Sequence, residues 1–337
     1  MTRALPQPQA LIVGIFLCLT ALNTAGAQEL VPVEAPIPPG LETVEFFSPA
    51  VGRVMKFDLV LPSDYQASEA SYPVLYLLHG YMQNYTVWGR NLAAAFYARD
   101  LDDLILVLPD GGNSWFINYA SSEDGQRNNW ENHIINDVVA YVDENFRTEA
   151  RREGRAISGL SMGGFAAFSL GLRHSDMFIS IGSTSGALSF ARTRAAELEA
   201  GIERTPGQRS PEQQARLDEA DAFISRIVDI PGFSTQDERT PRGIDFASAE
   251  QARAYDPFEI IYNVPRSQMP HIYLDSGTED GLIAEAREMA QVLMLNNVAF
   301  DYMQSRGRHN SEYWRRSIGH MMTIQHEVMQ RALGNRP

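Results

Sequence analysis

Thiol chemistry is almost absent from this chain. Its 337 residues hold one cysteine, Cys18, inside an apolar N-terminal stretch. Without that stretch no thiol remains, which excludes a cysteine nucleophile, cysteine-ligated zinc and a disulfide scaffold. A chain free of cysteine is compatible with export to an oxidising compartment. Lysine is equally scarce: Lys56 is the only one among 28 basic side chains, a bias with no functional implication. Basic charge is short overall, against 42 acidic side chains and a net charge of −14. Such a surface repels phosphate backbones and anionic lipid, which argues against nucleic acid as a partner. No internal repeat, low-complexity tract or appended polysaccharide-binding module is visible. Hydrophobic residues, at 44%, are plentiful enough for a globular core and too many for disorder.

The N-terminus reads as an address. Arg3 gives a weakly positive start, Ala10 to Leu22 is almost wholly apolar, and Ala25-Gly26-Ala27 offers small residues before Gln28. This pattern predicts a secretory signal peptide over residues 1–27 and a periplasmic or extracellular protein. The rival is an uncleaved anchor, but the run is short of the roughly 20 residues of a membrane span. Leu17 and Leu19 around Cys18 do not resemble a lipoprotein cleavage site. A proline-rich leader over residues 28–40 and an α/β domain over 41–337 complete the expected layout.

Within that domain, Thr43 to Phe47 and Arg53 to Leu61 pattern as a hairpin. Val74 to Leu78 and Leu104 to Leu108 are continuous apolar runs, as in strands buried on both faces of a parallel sheet. Val87 to Ala98 can form a helix, and Glu131 to Phe146 has apolar residues at helical spacing. Arg155 to Ser158, Phe178 to Gly182, Ile272 to Asp275 and Phe300 to Gln304 read as further strands; Met162 to His174 and Trp314 to Leu333 read as helices. Alternating strands and helices predict a mostly parallel, doubly wound sheet. Residues 190–252 break the rhythm as a helical insertion. Ala195 to Gly201 and Glu212 to Ile227 look helical, with loops at Arg204 to Pro211 and Pro231 to Gly243. The insertion is either a solvated appendage or a lid over a site.

The chemistry centres on Gly159-Leu160-Ser161-Met162-Gly163, a G-x-S-x-G pattern between a predicted strand and a predicted helix. A side chain on either glycine would crowd the backbone of the tight turn that exposes the serine. A serine hydroxyl needs a base. Of seven histidines, His309 lies in a short polar loop after the last predicted strand and comes last in the order serine, acid, histidine. His79 ends an early strand; His133, His174, His271, His320 and His326 sit on predicted elements as packing, capping or surface groups. The acid is expected just after Ile272 to Asp275. Asp280 leads, with Glu279 and Asp275 as rivals. The oxyanion donors are expected to be the backbone N–H of Met162 and of Tyr81, with Met82 the second choice for the latter. Trp115, Phe116, Tyr119 and Trp130 lie on loops near these positions and either stack on a sugar or phenolic group or pack the loops.

Five segments together carry a resemblance: Leu77-Leu78-His79-Gly80, Pro109-Asp110-Gly111-Gly112, Gly159 to Gly164, Gly277-Thr278-Glu279-Asp280, and Gly307-Arg308-His309 with Tyr313-Trp314. Over Leu41 to Leu333, apart from the insertion, the chain resembles the esterase family of α/β-hydrolases. That family includes esterase D (S-formylglutathione hydrolase), tributyrin esterases, feruloyl and acetylxylan esterases and mycolyltransferases. The resemblance implies an α/β-hydrolase fold and a serine carboxylesterase acting on a small or carbohydrate-linked ester; export is implied by the N-terminal pattern alone. It implies Ser161, Asp280 and His309 as the triad, Tyr81 and Met162 as the oxyanion hole, and neither metal nor organic cofactor. It also favours Asp280 over Glu279. Acyl transfer to an alcohol or sugar is one alternative; a non-catalytic binding protein on the same scaffold is the other.

Overall fold

The computed structural model describes residues 38–123, 125–202 and 240–335. The signal peptide, most of the leader, the helix predicted over Glu212 to Ile227 and most of the insertion's two loops lie outside the described residues.

The elements run β1 (Leu41–Ser48), β2 (Arg53–Val60), β3 (Val74–Leu78), a π-helical turn (Val87–Asn91), α1 (Ala94–Asp100) and β4 (Ile105–Pro109). Next come α2 (Trp130–Asn132), a π-helical stretch (His133–Val138), α3 (Val139–Asn145), β5 (Arg155–Leu160), α4 (Met162–Arg173) and β6 (Ser180–Thr184). The chain continues through α5 (Phe190–Glu199), α6 (Ala249–Arg253), α7 (Pro257–Ile260), β7 (His271–Gly277), α8 (Ile283–Leu295), β8 (Phe300–Ser305) and α9 (Ser311–Leu333). The sheet has eight strands in the order β1-β2-β4-β3-β5-β6-β7-β8. The β1–β2 and β2–β4 pairs are antiparallel and the others parallel. This is the mostly parallel, doubly wound α/β-hydrolase arrangement.

Every residue of β3, β4, β5 and β6 is buried, because helices cover both faces of the sheet. The long helix α9 buries one stripe, including Tyr313, Ser317, Met321, Gln325 and Met329, at helical spacing. Parallel strands point their carboxyl ends the same way, so the loops after β3, β4, β5, β6, β7 and β8 gather along one rim. In open α/β sheets that rim is where ligands bind.

Two local predictions are corrected. The helix expected over Val87 to Ala98 is broken at Ala93, which takes a left-handed φ of 63°. The Asn91 carbonyl, which a continuous helix would use, instead accepts from the Arg315 guanidinium at 2.8 and 3.1 Å. The helix over Glu131 to Phe146 widens to π-helical at His133–Val138, where the buried His133 ring bridges Ser48 Oγ and the Asp110 carbonyl. Helix α5 begins at Phe190, five residues before the predicted start, and α8 has no counterpart among the predicted elements.

Candidate active site

The turn from β5 to α4 is built by close backbone contact. Ser161 adopts φ 53° and ψ −116°, a conformation that costs a non-glycine residue about 1–3 kcal/mol. It is held there because its N–H donates to the Thr184 carbonyl at 3.1 Å and its own carbonyl accepts from Phe165 and Ala187, each at 3.1 Å. A Cβ on Gly163 would stand 2.3 Å from Leu78 O and 2.6 Å from His79 O; one on Gly159 would stand 2.3 Å from Gly163 O. Only hydrogen fits at either position, and the start of α4 is thereby pressed against the end of β3.

Opposite Ser161, the loops after β7 and β8 are tied to each other. Thr278 N–H donates to Ser305 O and Glu279 N–H to Gly307 O, both at 2.9 Å. A Cβ on Gly277 would meet Gly307 O at 2.3 Å, so the two loops approach as closely as glycine permits. His309 stands just before Asn310, whose side chain caps α9 by accepting the Tyr313 N–H at 3.1 Å. Its ring meets Trp314 edge-on, with centroids 5.0 Å apart.

These loops bring three side chains into one row. Asp280 Oδ2 lies 3.0 Å from His309 Nδ1, and His309 Nε2 lies 3.0 Å from Ser161 Oγ. An ionised carboxylate can only accept, so Nδ1 carries the proton and Nε2 turns its lone pair to the serine hydroxyl. Burial by itself would raise the Asp280 pKa. Hydrogen bonds from His309 and from the Leu282 N–H, at 2.8 Å, outweigh that and hold it below the usual carboxylate value.

The rival acids are engaged elsewhere. Glu279 faces outward between Arg306 Nε at 3.0 Å and Arg308 Nε at 3.2 Å. Asp275 lies beneath the site, fully buried, accepting from the hydroxyls of Thr184 and Tyr313. Burial, with the Asp280 carboxylate adding to it, pushes its pKa up to about 6. Among the other histidines, His79 is buried and holds two loops together. Its Nε2 accepts the Gly111 N–H at 3.0 Å, so its Nδ1 carries the proton and donates to Gly80 O at 2.8 Å. Burial lowers the His133 pKa to about 4. Among the described residues no three His, Cys, Asp or Glu side chains converge as metal ligands, and no helix is long and apolar enough to cross a membrane.

In the loop after β3, side chains occupy the amides on either side of Tyr81. Gly80 N–H donates to Gln83 Oε1 at 2.8 Å, and Met82 N–H donates to Asn113 Oδ1 at 2.7 Å. Gln83 N–H returns to Gly80 O at 3.2 Å. Among the described residues Tyr81 N–H meets no acceptor. Met162 N–H, in the first turn of α4, has no intrahelical acceptor. Met82, the second choice from sequence, is thus occupied. Asn113 went unrecognised in the sequence, although it directly follows Pro109-Asp110-Gly111-Gly112. Of the four loop aromatics, Phe116 and Trp130 are buried in the core, whereas Trp115 is partly exposed and stacks on Phe190 at 3.7 Å. Tyr119 is half-buried and its backbone pairs with Asn128.

The family described as "Putative esterase" matches residues 48–323. An esterase of Mycobacterium tuberculosis is 37% identical over 161 residues, 46% of this chain and 34% of its own. A diacylglycerol acyltransferase/mycolyltransferase of Mycobacterium leprae is 30% identical over 184 residues, 52% of each chain. The matches thus span about a third and a half of these relatives' lengths. Among solved structures, a substrate-bound fluorophosphonate-binding serine hydrolase of Staphylococcus aureus gives a TM-score of 0.63 at 20% identity, covering 85% of this chain and 98% of that one. That is a likeness of fold.

Proposed function

Because the chain belongs to the esterase family of α/β-hydrolases, we propose that it is a serine carboxylesterase cleaving an acyl ester through an acyl–Ser161 intermediate. The observation that carries this reading is the hydrogen-bonded row from Asp280 through His309 to Ser161. Ser161 Oγ attacks the ester carbonyl carbon as His309 Nε2 takes its proton. The carbonyl π electrons move to oxygen, and the N–H groups of Tyr81 and Met162 hold that oxyanion. Each such donor is worth about 10²–10³ in rate. Collapse expels the alkoxide, which takes the proton from His309. Water then repeats the sequence on the acyl-enzyme and releases the acid. Asp280, kept ionised by its hydrogen bonds, fixes the His309 tautomer and stabilises the imidazolium.

The protein is exported to the periplasm or beyond, and its substrate is a small or carbohydrate-linked ester. Recovery of a mature chain that does not begin at Gln28 would count against cleavage after Ala27. The likeness to a mycolyltransferase over half of each chain favours one second reading, acyl transfer to an alcohol or sugar, since the acyl-enzyme is common to both. The deciding assay is a panel of p-nitrophenyl acyl esters, acetylated xylan and feruloylated sugars, run with and without an alcohol acceptor, beside Ser161→Ala. Turnover by wild type alone supports the reading. Equal inertness of wild type and variant defeats it, and acylated acceptor as the main product replaces hydrolysis with transfer.

A further inference from the structure

The loop that bears Tyr81 is held at two points by the loop after β4. One tie is the His79 ring, which accepts the Gly111 N–H at 3.0 Å. The other is Asn113, 2% exposed, whose Oδ1 accepts the Met82 N–H at 2.7 Å. The Asn113 amide is oriented without ambiguity, because an N–H needs the oxygen facing it. Its Nδ2 then donates to Thr240 Oγ1 at 3.1 Å, on the segment returning from the insertion. Met82 sits at φ 63°, a left-handed conformation that a side chain with a Cβ resists. Such a conformation persists only where surrounding bonds over-determine it. The peptide bearing the Met82 N–H is the next one along from that bearing the Tyr81 N–H, so a bond that fixes the former limits rotation of the latter.

We propose that Asn113 is a positioning residue for the oxyanion hole. It clamps the Met82 amide so that the Tyr81 N–H stays aimed at the reacting carbonyl, and through Thr240 it joins that aim to the returning end of the insertion. The inference rests on the reading that Tyr81 N–H is an oxyanion donor. Without the clamp, the loop relaxes out of its left-handed turn. The Tyr81 N–H is then lost in the transition state, while the ground-state ester is bound much as before.

The test compares Asn113→Ala and Thr240→Val with wild type on one p-nitrophenyl ester, with melting temperatures to verify folding. Asn113→Ala is expected to lower kcat about 10- to 100-fold with KM changed less than about threefold, as for an interaction made only in the transition state. The midpoint of the acid limb of the pH–rate profile should not move, since the Asp280–His309 pair is untouched. Affinity for a boronic acid that forms a tetrahedral adduct on Ser161 should fall in step with kcat. Thr240→Val should show the same signature at smaller size, and it carries the test if Asn113→Ala fails to fold. A kcat within twofold of wild type in a folded Asn113→Ala, or in Thr240→Val when that variant stands alone, overturns the proposal. So does a loss of kcat without loss of boronate affinity. If wild type neither hydrolyses esters nor is labelled at Ser161 by a fluorophosphonate, it is the esterase reading that fails.

Discussion

Replacing Asp275 with asparagine should change how stability depends on pH, by an amount the structure sets. Asp275 is fully buried, its Oδ1 accepts from the hydroxyls of Thr184 and Tyr313, and the Asp280 carboxylate is close enough to oppose its ionisation. Its pKa rises from 3.8 to about 6 in the fold. Between those values the folded chain binds the proton and the unfolded chain does not, so stability falls as pH rises. The contribution is whole below pH 3.8 and lost as pH climbs through about 6. At about 1.4 kcal/mol per pH unit, ionising this group inside the fold costs about 3 kcal/mol, of which about half falls between pH 5 and pH 8. Asparagine has the shape of the neutral acid and does not titrate. Urea unfolding of wild type and Asp275→Asn at pH 5 and pH 8, followed by circular dichroism, isolates the effect. Groups that titrate in both proteins cancel in the difference, as does any fixed cost of the amide. The variant should gain about 1.5 kcal/mol on wild type between the two pH values. An unchanged difference would refute the assignment of a buried, ionised Asp275 at neutral pH.

Other outcomes follow from the same contacts. Asp280→Asn should lower kcat by about 10⁴-fold with little change in KM, because the amide favours the wrong His309 tautomer; steady-state kinetics check this. Glu279→Gln should leave kcat/KM within about twofold, since its exposed ion pairs with Arg306 and Arg308 are screened by water. A larger loss would return Glu279 to candidacy as the acid. Gly163→Ala should lower both melting temperature and kcat, the latter at least tenfold, because its Cβ would press on Leu78 O and His79 O. Arg194→Met, which removes a buried bidentate pair with Asp245 at the base of the insertion, should cost about 2–3 kcal/mol in urea unfolding. The value is held below that of a fully buried pair because Asp245 is partly exposed.

Much of the sheet was legible one segment at a time. Val74 to Leu78 and the apolar run at Leu104 to Leu108 are strands because an unbroken apolar run is stable only with both faces covered, and composition alone records that. The need for glycine at Gly159 is equally local, since a Cβ there would strike Gly163 O within the same five residues, whereas at Gly163 it comes from Leu78 O and His79 O on a distant strand end. Helix continuity was less legible. Ala93 lies in a stretch of good helix formers, yet Arg315, more than two hundred residues away in sequence, takes the Asn91 carbonyl that would continue the turn.

At the candidate site the division is sharper. The sequence by itself determined the strand–serine–helix turn and the order of serine, acids and histidine along the chain. It ranked Asp280 first but kept Glu279 and Asp275 as rivals, because the three differ little in residue type and cluster at the end of one strand. Tertiary packing separates them: Arg306 and Arg308 draw Glu279 outward, Thr184 and Tyr313 hold Asp275 beneath, and the contact of Gly277 with Gly307 turns Asp280 to His309. Tyr81 and Met82 are likewise adjacent amides with nothing in the sequence to rank one against the other beyond position. Asn113, from another loop, occupies one and leaves the other open. A hydrogen bond is decided by which donor lies within about 3 Å of which acceptor, and between distant segments only the folded backbone sets that distance.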